Sequence, residues 1–262
     1  MALLWHILHF AFRLNLGMLI AMAITSPRHV TSGFFRVHLW VAMGINSLAA
    51  MVVYMIGSDY VPEVRDQLLT QSILLTVGSY AGAVCWLYEK HKLGRIFIVV
   101  LVVLTGYTAW IATPEVSTWD IRQTLIECSD IITSSLAVGS IMTAMLLGHW
   151  YLNTPTMDLM PLRLLLKFAA IAILLRVITI SIGEACLIMY QSELVNTQWW
   201  IFVGLRWLAG IIGTSIMLWM TWVTLRIPNT QSATGILYAA TILVFIGELT
   251  AQILSDTGLY PL

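Results

Sequence analysis

Charged side chains are scarce in this chain: 13 basic and 13 acidic among 262 residues, 10% of the total, against about 25% in an ordinary soluble domain. So few charges cannot cover a soluble globule of this size, most of whose periphery still faces water. The formal net charge is zero, which excludes the basic footprint of a nucleic-acid binder. A disordered chain is excluded by the opposite feature, a hydrophobic content of 59%.

Cysteine is nearly absent as well. Cys85, Cys128 and Cys186 are far apart and form no CxxC pair, so neither a zinc ribbon nor a disulfide scaffold is indicated. Proline numbers only 7 and is almost missing from the apolar runs, which gives little support to proline-broken helices. There is no glycine-rich phosphate loop, no HExxH, no GxSxG and no Ser-x-x-Lys set, and the short loops offer no platform for soluble-type catalysis. No basic residues precede the first apolar stretch and no persuasive cleavage site lies in it, so it reads as a retained helix, not a signal peptide.

What the chain has is long apolar runs, with a mean hydropathy of +0.87. A hydrocarbon layer about 30 Å thick needs roughly 20 helical residues. That ruler predicts eight spans: Leu3–Thr25, Phe35–Gly57, Leu68–Leu87, Arg95–Ile111, Ile131–Leu152, Leu162–Tyr190, Gln198–Arg226 and Thr234–Ile253. The runs are continuous and not alternating, so helices are expected and a β-barrel is not. The expected fold class is an all-α integral membrane protein, one polytopic transmembrane domain covering residues 1–262.

Lysine and arginine give an orientation. Arg28, Arg36, Lys90, Lys92, Arg95, Arg163, Lys167 and Arg226 fall in or beside the odd-numbered loops, whereas Arg65 and Arg122 fall on the other side. Both termini are therefore expected on the non-cytoplasmic side of a cell membrane of the bacterial inner-membrane type. The acids Asp59, Glu63, Asp66, Glu115, Asp120, Glu127, Asp130, Glu193 and Asp256 gather on or near that outer side. They read as solvated loops or as a docking face for a cationic soluble partner. Trp110, Trp119, Trp199 and Trp200 at the outer level, and Trp40, Trp86, Trp150 and Trp222 at the inner one, read as interfacial anchors.

Two connections echo one another: Thr25-Ser26-Pro27 running to Arg36, and Asn153-Thr154-Pro155 running to Arg163. The echo suggests a four-plus-four parallel repeat. Equally, Ser/Thr-Pro is a common helix-start signal.

Five charges lie within the spans: Arg13, Arg176, Glu184, Arg206 and Glu248. Each costs about 2.5–3.5 kcal/mol at a helix centre on insertion scales. Glu184, Arg206 and Glu248 are expected at one level on three successive spans, with Arg206 pairing Glu184 and Glu248 left over as a proton-binding acid. His38 and His149, on different spans at matching expected depth, are candidate axial ligands of a b-type haem. Gly204, Gly210 and Gly213 would let the seventh span pack closely.

Two functions follow from these features. The first is a membrane subunit of a larger respiratory or redox complex, holding a haem or contacting quinone, with other membrane subunits as partners and no catalysis of its own. The second is a small transporter or proton- or ion-translocating protein built on the buried Arg/Glu cluster. On sequence features the first is favoured by a narrow margin.

Overall fold

Backbone polar groups in a hydrocarbon layer have no water to bind, so an apolar run of spanning length must satisfy them internally as helix. The computed structural model describes residues 2–56, 64–113, 121–154, 156–190, 197–227 and 229–255, and among them every regular element is helical. The helices are α1 (Ala2–Ile24), α2 (Ser32–Ile56), α3 (Arg65–Leu87), α4 (His91–Ile111), α5 (Ile121–Asn153) and α6 (Met160–Tyr190). They continue as α7 (Thr197–Leu205), a π-helical segment (Arg206–Gly213), α8 (Thr214–Thr224) and α9 (Thr230–Ser255). With α7, the π segment and α8 counted as one span, 8 helices are long and apolar enough to cross a membrane, as a multi-pass transmembrane bundle requires.

The fifth span departs most from its expected bounds. It begins at Ile121, not Ile131, because nothing between those positions breaks a helix, and a hydropathy ruler excludes a polar first turn that the backbone accepts. Asp130 is thereby carried from an expected loop into a helix.

The described residues form two compact units, one of residues 1–114 with 157–161 and one of residues 115–156 with 162–262. In the first unit α2 packs on α1 and α3, α3 packs on α4, and α4 returns to α1, so the four helices close a ring. A polar chain runs through its core: Asn15 Nδ2 donates to Asn46 Oδ1 at 2.9 Å, and Asn46 Nδ2 donates to Ser79 Oγ at 3.4 Å. These three fully buried residues on three helices fix their relative register. Trp86 stacks on Phe35 with ring centroids 4.2 Å apart and sits over Gly94, where an added Cβ would lie 2.6 Å from the indole nitrogen.

In the second unit α9 is the hub, packing against α5, α7, the π segment and α8. The helix ends use ordinary capping chemistry. Asp158 Oδ1 accepts from the Met160 N–H at 3.0 Å to open α6, and Asn229 Oδ1 accepts from Ser232 N–H at 3.0 Å to open α9. The two Thr-containing echoes work at the other end. Thr25 Oγ1 donates to the Ala21 carbonyl and Thr154 Oγ1 to the Trp150 carbonyl, so each threonine finishes the preceding helix and does not cap the next.

Two of the expected tryptophan anchors are core residues instead. Trp86 and Trp199 are buried, the first by its stack on Phe35 and the second beside Leu187, Val203 and Leu254. Trp40, Trp110 and Trp200 are exposed, as anchors should be. Trp119 lies outside the described residues, as do Asp59, Glu63, Glu115, Asp120, Glu193 and Asp256 of the expected acidic face.

Candidate functional site

The buried charges of the second unit assemble into one cluster, and its centre is Arg176, midway along α6 and 1% exposed. Its guanidinium forks onto Glu248 of α9, Nε to Oε1 at 2.8 Å and Nη2 to Oε2 at 2.9 Å. The remaining arm, Nη1, donates to Asp130 Oδ1 of α5. Ser134, one turn beyond Asp130, donates its hydroxyl to Glu248 Oε2 at 2.7 Å. A planar fork with fixed donors suits this bidentate grip, and charged groups this deep persist only when their hydrogen-bonding capacity is used.

Arg206 is the exception. It too is 1% exposed, yet none of its three guanidinium nitrogens has a hydrogen-bond partner among the described residues. It lies within electrostatic reach of Arg176, Glu248, Asp130 and Glu184 without touching a carboxylate. Glu184 is engaged elsewhere: Trp207 Nε1 donates to its two oxygens at 2.9 and 3.1 Å.

Several expectations change here. Glu248 is not the leftover acid, because Arg176 takes it, and the group left over is the cation Arg206. Arg206 forms no hydrogen bond with Glu184, whose two oxygens accept instead from the Trp207 indole. Asp130 is not a solvated outer acid but a buried partner of Arg176, 4% exposed. Arg13 belongs to the first unit, where it is half-buried.

The backbone around Arg206 is irregular in a way that proline counting does not detect. The span switches to π-helix at Arg206 and back to α-helix after Gly213. Thr214 Oγ1 donates to the carbonyl of Ala209, five residues earlier, at 3.2 Å. An extra residue per turn bulges the helix, and such segments frequently mark functional sites. Gly210, inside the segment, meets Gly247 of α9: a Cβ on Gly210 would stand 2.8 Å from the Gly247 Cα. This glycine pair brings the π segment against the turn that carries Glu248. Of the other glycines in that span, Gly213 packs on Leu243 and Gly204 on nothing within 4 Å.

The two histidines fall in different units. His38 in the first is buried, with Nδ1 at 2.5 Å from the Phe34 carbonyl oxygen and its ring 4.0 Å from that of Phe34. His149 in the second is exposed, with Nδ1 at 3.3 Å from the Tyr238 hydroxyl. Among the described residues no group of three or more His, Cys, Asp or Glu side chains is placed to hold a metal ion.

Sequence reasoning missed Asp130 and Ser134 in the cluster, and Asn15, Asn46 and Ser79 in the first unit. The available signal for Asp130 was its stride of four to Ser134 on a helix continuous with the fifth span.

Comparison with protein-family models, with curated proteins and with solved structures returns no match to this chain.

Proposed function

We propose that this chain is a small multi-pass transport protein that moves a small anion together with a proton through the Asp130/Arg176/Arg206/Glu248 cluster. The observation that carries this reading is Arg206, a guanidinium buried to 1% exposure with no hydrogen-bond partner among the described residues. Leaving a buried polar group unmatched costs about 1–3 kcal/mol, and more when it is charged. A site that keeps such a group unmatched is a site suited to a partner that comes and goes.

The charge count supplies the coupling. Two carboxylates and two guanidiniums cancel when all four are ionised. A proton on Asp130 or Glu248 leaves one surplus positive charge, and an anion seated on the Arg206 fork cancels it. Each ligand lowers the cost of the other, and that coupling is reciprocal. The guanidiniums do not carry the proton, since arginine stays charged in proteins. The π segment supports the reading, because irregular backbone at membrane depth is tolerated where it is packed in protein or lines a cavity.

Eight cations against two in the loops support an orientation with both termini outside the cytoplasm. The allotment of α1–α4 to one unit and α5–α9 to the other is compatible with the four-plus-four repeat. The redox-subunit reading rests on the short loops, the acidic outer face, the aromatic helices and the histidines His38 and His149; the transport reading is preferred here because the charge cluster assembles within one unit.

The test is flux in proteoliposomes. An inward chloride or phosphate gradient imposed on vesicles holding a pH-sensitive dye should acidify the lumen, and Arg206→Gln should abolish that acidification. No acidification with either anion above protein-free vesicles would remove the proposal.

A further inference from the structure

We propose that the groove between α6 and α8 is a binding site for one anionic phospholipid, held by its phosphate at Lys167 and by an acyl chain along the groove. This inference is independent of the transport reading and requires only that the spans cross a bilayer.

The groove is a cavity of about 300 Å³ in the second unit, at the lower end of the range for small-molecule sites. One wall is a stripe of α6, with Leu166, Ala170 and Ile173 at helical spacing, and the other is a stripe of α8, with Leu218, Trp219 and Trp222. From Leu166 to Ile173 the stripe covers roughly 10 Å of helix rise. Trp219 is 66% exposed, so the groove is flanked by an indole facing outward from the protein. In a spanning protein that side faces hydrocarbon, where the available occupant for an apolar slot is an acyl chain.

Charge decides which lipid. Lys167 lies at one end of the groove, with its ammonium 5.6 Å from the Trp222 ring centroid. The indole places the amine at the mouth, and tryptophan at that position marks a headgroup level. Arg163, one turn earlier on α6, donates Nη2 to the Leu225 carbonyl at 2.9 Å, which ties the start of α6 to the end of α8 around that mouth. Arg226 follows directly. Between Met160 and Ile173, and again between Ser215 and Ile227, there is no acidic residue. The site is therefore cationic at one end and apolar along its length, which matches an amphiphile with one anionic end. A soluble phosphate would use the cation and leave the apolar slot unfilled.

A second cation–indole pair provides an internal comparison. Arg36 lies 5.4 Å from the Trp40 ring centroid in the first unit, and the groove is lined entirely by residues of α6 and α8. If a cation beside an indole were sufficient, both places would select anionic lipid equally.

The experiment is native mass spectrometry of delipidated full-length protein titrated with dioleoyl phosphatidylglycerol or dioleoyl phosphatidylcholine. The first phosphatidylglycerol should bind about fivefold tighter than phosphatidylcholine, the worth of one lysine near an anionic surface. Lys167→Gln should erase that preference, Arg36→Gln should keep it, and Ala170→Trp should weaken both lipids by filling the slot. Equal affinities in the unmodified protein, or a preference that survives Lys167→Gln or disappears in Arg36→Gln, would overturn the proposal. So would full competition by glycerol 3-phosphate, which would make the site one for a soluble anion.

Discussion

Arg176 of α6 grips Glu248 of α9 with two parallel hydrogen bonds, at 2.8 and 2.9 Å. Its third arm reaches Asp130 on α5, so one side chain ties three helices together. Such a knot is weak evidence for stability when compared with an apolar core, yet removal of one member leaves the others as uncompensated buried charge. Arg176→Leu is therefore expected to destabilise the fold by about 3–5 kcal/mol, read as a large fall in apparent Tm in detergent. A Tm within a degree of the unmodified protein would show that the cluster is not closed in solution.

Arg206 should behave differently from Arg176. Arg206→Met removes a buried cation that has no hydrogen-bond partner among the described residues, so it breaks no hydrogen bond there but unbalances the charge count of the cluster by one. It is expected to lower the apparent Tm by clearly less than Arg176→Leu while abolishing anion-driven acidification. A fall in Tm as large as that of Arg176→Leu would mark Arg206 as a group kept for structure.

The Gly210–Gly247 contact gives a geometric test. A methyl group on either glycine meets backbone, which cannot swing aside as a side chain does. Gly210→Ala and Gly247→Ala are each expected to cost about 1–3 kcal/mol and to displace Arg206 from the cluster. Flux should fall in both variants, whereas Gly204→Ala, with open space around it, should leave flux and Tm unchanged.

Away from the cluster, the turn between α3 and α4 holds Glu89 at φ 56°, a left-handed conformation that disfavours a side chain. The Lys90 N–H donates to the Cys85 carbonyl at 2.9 Å and the Glu89 N–H to the Trp86 carbonyl at 3.2 Å, the bond pattern of a Schellman end that usually carries glycine. Glu89→Gly should stabilise the protein by about 0.5–1 kcal/mol, and a drop in Tm would contradict the turn geometry.

The histidines yield a spectroscopic prediction. His38 Nδ1 lies 2.5 Å from the Phe34 carbonyl oxygen and His149 Nδ1 lies 3.3 Å from the Tyr238 hydroxyl. On the transport reading the reduced-minus-oxidised visible spectrum of the purified protein is expected to be featureless. A b-type band that disappears in His38→Ala and in His149→Ala would restore the redox-subunit reading.

Much of the fold is legible in the residues, and the limits of that legibility are physical. Each span end is set locally, by where twenty or so apolar residues run out, so most ends are recovered within a few positions. The start of α5 escapes this logic because Asp130 is polar in the sequence and is paired with Arg176, a residue 46 positions away. The π segment escapes it too. No proline marks it, and Gly210 acquires meaning only beside Gly247.

Composition and hydropathy alone determine that this chain forms eight helices long and apolar enough to cross a membrane, because the cost of unsatisfied backbone and exposed apolar surface acts on local stretches of sequence. Which charges pair is decided by tertiary structure. Arg176 takes Glu248 and Asp130, Trp207 donates to Glu184, and Arg206 has no hydrogen-bond partner among the described residues, because hydrogen bonds select partners by distance and angle between helices and one-dimensional spacing does not encode either.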